Sequence, residues 1–154
     1  MEVVYGDLLH QPIDVIVNAW NRNIIPWWLL IPQGVSAAIK RRAGLAPFRE
    51  LRKFGPIPLG GAVETGAGEL PFKAIIHVAG TSMFWRSSER SIRASVRSAI
   101  ALALGRYCSI AFPLIGAGTG GGREEKVLGW MLDELERVEF EGQVIVVRLR
   151  RDSP

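Results

Sequence analysis

A run of glycines between a predicted strand and a predicted helix is the part of this sequence that most directly suggests chemistry. Residues 112–122 read Phe-Pro-Leu-Ile-Gly-Ala-Gly-Thr-Gly-Gly-Gly, with five glycines in the last seven positions. Glycine lets a backbone approach a ligand closely, and the free N–H groups at the start of a helix attract anions. Successive N–H groups of such a loop can surround a diphosphate. We therefore predict an anion-binding loop at residues 116–122; the alternative is a flexible connector.

Gly116, Gly118 and Gly121 also spell the G-x-G-x-x-G dinucleotide fingerprint, but their position argues against a Rossmann fold. That fingerprint lies near the start of a fold with two nucleotide-binding halves, whereas only one helix and one strand are predicted after it here. The loop also lacks the Lys-Ser or Lys-Thr pair that closes a Walker loop. The glycines therefore predict phosphate binding of another kind.

Other reactive side chains are few. The chain has two histidines, His10 and His77, and one cysteine, Cys108, so an internal disulfide is excluded and a structural zinc site is not expected. His77 lies in a predicted buried strand, where a histidine is more often a hydrogen-bonded core residue than a base. No Gly-x-Ser-x-Gly motif supports a serine triad. Neither a metal nor a cofactor is predicted.

The elements that must position the glycine loop alternate between strands and helices. Apolar β-branched runs predict strands at residues 3–5, 15–18, 62–65, 74–79, 109–113 and 144–147. Helical spacing of apolar side chains predicts helices at 35–42, 47–53, 89–104 and around 127–135. This order indicates an α/β fold with a parallel or mixed sheet and helices on both faces. Ligands bind such sheets at the carboxyl ends of the strands, where Asp7, the segment after Asn18 and the glycine loop fall.

Composition narrows the class of protein. The 154 residues are 48% hydrophobic and 22% charged with a net charge of +4, which predicts one globular domain over residues 1–154 and suits an anionic partner. The N-terminus has no signal-peptide pattern, and the longest apolar run, residues 24–32, is shorter than the about 20 residues that cross a bilayer. Together with the single cysteine, these features predict a cytoplasmic protein without a membrane partner.

Several motifs, in order along nearly the whole chain, resemble those of the macro domain family. Gly6-Asp7-Leu8 is similar to the element that follows the family's first long strand. Residues 14–21, Asp-Val-Ile-Val-Asn-Ala-Trp-Asn, resemble its Asp-Ala-Ile-Val-Asn-Ala-Ala-Asn signature. Residues 34–44, 61–80 and 112–121 are similar to its first loop and helix, its middle block and its phosphate loop. The resemblance implies a three-layer α/β/α fold with a central mixed sheet, and binding of ADP-ribose.

The resemblance also assigns roles to individual residues. Asp7 would accept a hydrogen bond from the adenine amino group, and the Leu8 backbone would contact the ring. Asn21 would hold the distal ribose and orient the water of a hydrolytic reaction, while Asn18, also near the ligand, would brace the loop. The diphosphate would be enclosed by Gly34, Val35 and Ser36 on one side and by Gly116, Ala117, Gly118, Thr119, Gly120 and Gly121 on the other.

Three substitutions relative to the family pattern leave catalysis open. Ser36 stands where the family's ADP-ribosyl hydrolases commonly carry an aspartate, and Gly120 replaces an aromatic residue of the phosphate loop. Both changes favour a non-catalytic reader of ADP-ribose. Leu149 stands where an aromatic residue often stacks on adenine, which weakens that contact without removing it.

The loop after Asn21 also departs from the family. A bulky apolar segment, residues 22–33, replaces a shorter glycine-rich loop and contains Trp27 and Trp28. Because side chains alternate along an extended segment, one tryptophan is expected in the core and the other near the ligand or a partner.

Three functions therefore stay open: a hydrolase of ADP-ribosyl linkages or ADP-ribose derivatives, a reader of ADP-ribose on macromolecules, and a nucleic-acid-associated module. The last would use an arginine stripe on one face of a predicted helix, although a solvated face is the simpler interpretation. The stripe consists of Arg86, Arg90, Arg93 and Arg97.

Overall fold

In the computed structural model of the chain, residues 1–21, 35–81, 88–115 and 123–149 are described. Within these ranges the strands are β1 (Glu2–Tyr5), β2 (Val15–Asn21), β3 (Ala62–Thr65), β4 (Ala74–Thr81), β5 (Ser109–Pro113) and β6 (Gln143–Arg148). The α-helices are α1 (Val35–Ala43), α2 (Ala46–Lys53), α3 (Glu89–Ala103) and α4 (Glu124–Arg137). No helix in the described ranges is both long and apolar enough to cross a bilayer.

The strands form one six-stranded sheet in the order β1-β6-β5-β2-β4-β3. All neighbouring pairs are parallel except β3, which runs antiparallel to β4. The predicted mixed sheet is thus confirmed. Five strands end at the same edge, which is where their carboxyl ends can contribute to one site.

Helices cover both faces of the sheet, which confirms the predicted three-layer α/β/α architecture. Successive side chains of a strand point to opposite faces. Val15 and Val17 accordingly pack in a cluster with residues of α3 and α4, and Ile16 packs in a second cluster with residues of α1 and α2. All three β2 side chains are fully buried. Burial on both faces explains why the central strands read as continuous apolar runs in the sequence.

The start of α3 is fixed to the end of β4. Ser88 and Ser91 form a reciprocal capping box, which satisfies free N–H groups of the first turn. The Ser91 hydroxyl also lies 2.8 Å from the Gly80 carbonyl oxygen. A Cβ at Gly80 would collide with the Ile115 side chain. Glycine is therefore needed for β4 to approach the residues that follow β5.

A network of ion pairs joins α3 to α4. The Arg93 guanidinium lies 2.6 Å from Asp133 and 3.2 Å from Glu134, and Arg97 lies 2.8 Å from the other Glu134 oxygen. Glu134 is 5% exposed. Two members of the predicted arginine stripe, Arg93 and Arg97, therefore neutralise carboxylates of the neighbouring helix, and nucleic-acid binding by the stripe stays a prediction. Arg90 is exposed, and Arg86 lies outside the described residues.

Glu134→Gln is expected to lower the unfolding free energy at pH 7 by about 1–2 kcal/mol, because Arg97 is half exposed and solvent screens part of the interaction. Burial alone would raise the pKa of Glu134, but hydrogen bonds from Arg97 and Arg93 outweigh burial and hold the pKa below its usual value. Glu134 therefore stabilises the fold above its unfolded-state pKa and loses that effect as pH falls through the lower folded-state pKa.

Urea titrations of the Glu134→Gln variant between pH 7 and pH 3 measure this effect. The exposed Glu136→Gln substitution on the same helix is the matched control and should change stability little at any pH. A constant gap between Glu134→Gln and the unmodified protein down to pH 3 would contradict the assignment.

The described structure differs from the sequence prediction at two places near the ligand edge. β2 continues beyond Asn18 to Asn21, because its backbone keeps pairing with β4 as far as Thr81, with a register shift between Trp20 and Asn21. A short 3-10 helix, Leu8–His10, follows Asp7 where no element was predicted. Both additions extend ordered backbone toward the predicted site.

Candidate functional site

Several of the predicted site residues lie at or just after the carboxyl ends of the parallel strands. Asp7 comes two residues after β1, Leu149 directly follows β6, and Asn21 is the last residue of β2. Val35 and Ser36 are the first two residues of α1. In α/β sheets this edge is where ligands bind, because loops there open a crevice next to helix N-termini.

Asp7 is held by the 3-10 helix that it caps. Its Oδ1 atom accepts a hydrogen bond of 2.8 Å from the Leu9 N–H. Its side chain remains 46% exposed. The cap therefore fixes the carboxylate orientation through one oxygen and leaves the second oxygen at the surface as an acceptor.

Two cationic or titratable groups, missed by the sequence analysis, lie beside that second oxygen. His10 Nδ1 is 3.5 Å and Arg42 Nη1 is 3.6 Å from Asp7 Oδ2. Arg42 Nη1 is also 3.3 Å from His10 Nε2. The spacing of Asp7 and His10 within one turn could have signalled the first contact, but Arg42 reaches the site from α1.

An exposed apolar side chain follows β6, the strand that pairs with β1. Tyr5 pairs in register with Arg148, and the Gly6 N–H donates to the Arg148 carbonyl oxygen at 2.9 Å. Continued in this register, Leu149 stands opposite Gly6, one residue before Asp7. Leu149 is 68% exposed. This combination of a carboxylate acceptor and an exposed apolar side chain suits a flat heterocycle with an amino group. The amino group at the ring edge can donate to the carboxylate, and the ring face can pack on the apolar side chain.

Asn18 lies inside the sheet rather than on the edge. It is fully buried, and its Nδ2 donates to His77 Nδ1 at 3.0 Å. His77 Nε2 is 2.8 Å from Thr65 Oγ1, which in turn donates to the Gly66 carbonyl oxygen at 3.0 Å. Because the Thr65 proton is used in that bond, His77 must carry its own proton on Nε2. The network links β2, β4 and β3 below the ligand edge.

Burial lowers the pKa of His77 to about 3, so its ring is neutral near pH 7. This confirms the prediction that His77 is a hydrogen-bonded core residue. Among the residues that the structure describes, Asn18 Oδ1 has no hydrogen-bond partner, although it is buried. A buried polar atom without a partner costs folding free energy. Losing further hydrogen bonds of this network should therefore destabilise the fold.

Several predicted residues lie outside the described part of the chain. They are Gly34, Trp27, Trp28 and the glycine loop at residues 116–121. Within the described ranges, no group of three or more His, Cys, Asp or Glu side chains is arranged to hold a metal ion.

Comparison of the sequence with known proteins gives a consistent family. Residues 17–131 match the family model described as Macro domain. The chain is 36% identical over 142 residues to an uncharacterised protein of Aquifex aeolicus, covering 90% of this chain and 82% of that protein. It is also 38% identical over 130 residues to the O-acetyl-ADP-ribose deacetylase of Escherichia coli K12, covering 79% and 70% of the two chains.

Solved structures agree with the sequence comparison. A mutant macrodomain of Oceanobacillus iheyensis with ADPR superimposes with a TM-score of 0.80 and 26% identity, covering 97% of this chain and 84% of that one. The Trypanosoma brucei macrodomain in complex with ADP-ribose gives a TM-score of 0.75 and 25% identity, covering 97% and 63%. With the family model spanning most of the sequence, the chain belongs to the macro domain family.

Proposed function

We propose that this chain binds ADP-ribose along the carboxyl edge of the sheet, with its adenine between Asp7 and Leu149. The observation that carries the proposal is the pairing of a capped, half-exposed carboxylate with an exposed leucine at the ends of adjacent strands. A carboxylate accepts hydrogen bonds only, so it prefers the amino group of adenine to the oxygen at the same edge of guanine.

The rest of the ligand would follow the same edge. The diphosphate would meet the N-terminus of α1 at Val35 and Ser36, where free N–H groups and the helix dipole favour an anion. The glycine loop after β5 would supply backbone donors from the other side. Asn21, at the end of β2, would contact the distal ribose. Macro domain relatives whose structures contain ADP-ribose support this assignment.

ADP-ribose is expected to raise the melting temperature of the protein. At a free concentration about 100 times Kd, linkage contributes about 2.7 kcal/mol, which corresponds to about 5–10 °C for a domain of this size. A thermal-shift panel with ADP-ribose, NAD, AMP, ADP and GDP-sugars measures the effect. GDP-sugars should give a smaller shift, and the absence of any shift at millimolar ADP-ribose would overturn the proposed function.

Ester hydrolysis is a second candidate function, favoured by the relatives named O-acetyl-ADP-ribose deacetylase at 38% identity. Water would add to the acetyl carbonyl carbon, and cleavage of its bond to the ribose oxygen would release acetate and ADP-ribose. Asn21 would orient the water, and positioning would supply most of the rate because Ser36 is not a base at neutral pH.

Hydrolysis of ADP-ribosylated aspartate or glutamate is expected to be slow or absent, because Ser36 replaces the usual aspartate. Where turnover of O-acetyl-ADP-ribose occurs, Asn21→Ala should reduce kcat more than Ser36→Ala does. Chromatographic product assays with both substrates test this order. Rapid cleavage of the protein-linked substrate that disappears only in Ser36→Ala would show that the roles are reversed.

A further inference from the structure

The α1–α2 helix pair carries more positive charge than the whole protein. Between residues 35 and 53, six cationic side chains stand against one carboxylate, Glu50, which gives a net charge of +5 where the whole chain has +4. All but Lys40 are exposed. The cations are Lys40, Arg41, Arg42, Arg49, Arg52 and Lys53. The positive charge of the chain is therefore concentrated in one segment of 19 residues.

Most of these charges are not neutralised by the fold. Several arginines elsewhere have carboxylate partners, such as Arg106 with Glu64 at 2.8 Å. Within the described ranges, no ion pair involves Arg41, Arg49, Arg52 or Lys53. Glu50, the carboxylate within this segment, instead accepts hydrogen bonds from the Gly66 N–H at 3.3 Å.

Three of the free cations share one face of α2, and an aromatic side chain follows them. Arg49, Arg52 and Lys53 are spaced three and four residues apart, so they lie together on the helix surface. Phe48 and Leu51 are buried, which directs the cationic face outward. Phe54, at the end of the helix, is 55% exposed. We name Arg49, Arg52, Lys53 and Phe54 the α2 stripe.

We propose that the α2 stripe binds single-stranded nucleic acid. Unpaired cations in a row attract successive phosphates, and an exposed aromatic ring offers a surface on which an unpaired base can stack. An acidic protein partner would use the cations but would not account for the exposed ring beside them. This interaction is separate from ADP-ribose binding and does not depend on it.

Fluorescence anisotropy with a labelled oligothymidylate of about 20 nucleotides tests the proposal. Three phosphate contacts give a slope of about −2.1 for the logarithm of the association constant against the logarithm of salt concentration. Affinity should then fall about 20-fold between about 50 and about 200 mM salt. No binding at the lower salt concentration would overturn the proposal.

Two double variants separate a specific surface from net charge. Arg49→Glu with Arg52→Glu should weaken binding at least about 10-fold and reduce the salt slope by about 1.4. Arg90→Glu with Lys126→Glu changes the net charge equally, at exposed positions of α3 and α4, and should weaken binding less than about threefold. Circular dichroism and thermal melting confirm that both remain folded. Equal losses in the two variants would overturn the proposal.

Phe54→Ala distinguishes nucleic acid from other polyanions. Loss of one stacking contact should lower affinity by about 5- to 150-fold at every salt concentration while leaving the salt slope unchanged. Polyglutamate of matched charge should compete poorly. Unchanged affinity in Phe54→Ala, or competition by polyglutamate as strong as by unlabelled oligonucleotide, would assign the surface to an acidic protein instead and overturn the proposal.

Discussion

Asp7→Ala is expected to weaken ADP-ribose binding by about 10- to 150-fold, the value of one hydrogen bond to a charged acceptor. The loss should be specific to adenine, because the carboxylate is the group that distinguishes its amino edge from the oxygen of guanine. Titration calorimetry with ADP-ribose measures the change, and ADP against GDP measures the base preference. Both nucleotides should bind the variant with similar affinity.

Asp7 also caps the 3-10 helix, so the variant removes two interactions at once. Asp7→Ser is the control, because serine caps as well as aspartate but its hydroxyl is shorter and uncharged. It should retain the local structure and still bind ADP-ribose weakly. If Asp7→Ser binds as tightly as the unmodified protein, the effect of Asp7→Ala comes from the cap, and the adenine contact is not made by this carboxylate.

His77→Leu is expected to lower the unfolding free energy by about 2–4 kcal/mol at pH 7. The substitution leaves the Asn18 amide buried without a partner and removes the bond to Thr65, and each unsatisfied group costs about 1–3 kcal/mol. Asn18 Oδ1 already lacks a partner, so the variant makes the whole side-chain amide unsatisfied. Chemical denaturation followed by tryptophan fluorescence measures the loss.

The loss of unfolding free energy caused by His77→Leu should be smaller in acid, because His77 makes the stability of the unmodified protein depend on pH. Burial lowers the pKa of His77 from 6.5 to about 3, so between these values the unfolded chain binds a proton that the folded chain does not. Stability therefore falls by about 1.4 kcal/mol per pH unit below pH 6.5. From pH 7 to pH 5 the unmodified protein should lose about 2 kcal/mol that His77→Leu does not lose.

His10→Leu is the control for the pH dependence, since it removes the other, exposed histidine of the chain. It should keep the acid-dependent loss, whereas His77→Leu should not. Parallel stability curves for His77→Leu and the unmodified protein between pH 7 and pH 5 would contradict the buried neutral ring.

The strands could be predicted well because a strand that is buried on both faces has apolar residues at successive positions. The run from Val15 to Val17 is apolar without interruption, and all three residues are fully buried. The end of β2 was not predictable in this way. Asn18 and Asn21 interrupt the apolar pattern, and the strand continues through both because the β4 backbone continues beside it. Hydrogen bonding to a neighbouring strand leaves no periodic signal of its own.

Contacts between distant segments limit the prediction of the site in the same way. Helical spacing shows that Arg93 and Arg97 share a face, but not that Glu134 lies opposite them. Likewise the motif singles out Asp7 as a candidate site residue, whereas the approach of Arg42 from α1 depends on how the helix packs. The spacing of residues in the sequence shows which side chains are neighbours on one helix or strand. Which charged groups of other elements they contact depends on the tertiary structure.

The strand that leads to Asp7 hydrogen-bonds to the last strand of the described sheet. Within that sheet, Glu2–Tyr5 pairs only with β6, in register with residues 145–148. A nascent chain must therefore close a loop of about 140 residues before β1 has a partner, and such long-range pairing is slow and entropically costly. In the proposed site, the segments that carry Asp7 and Leu149 come together only at that step. The proposed adenine pocket would thus form only after β6 has been synthesised, and ADP-ribose would be bound fully only from that point.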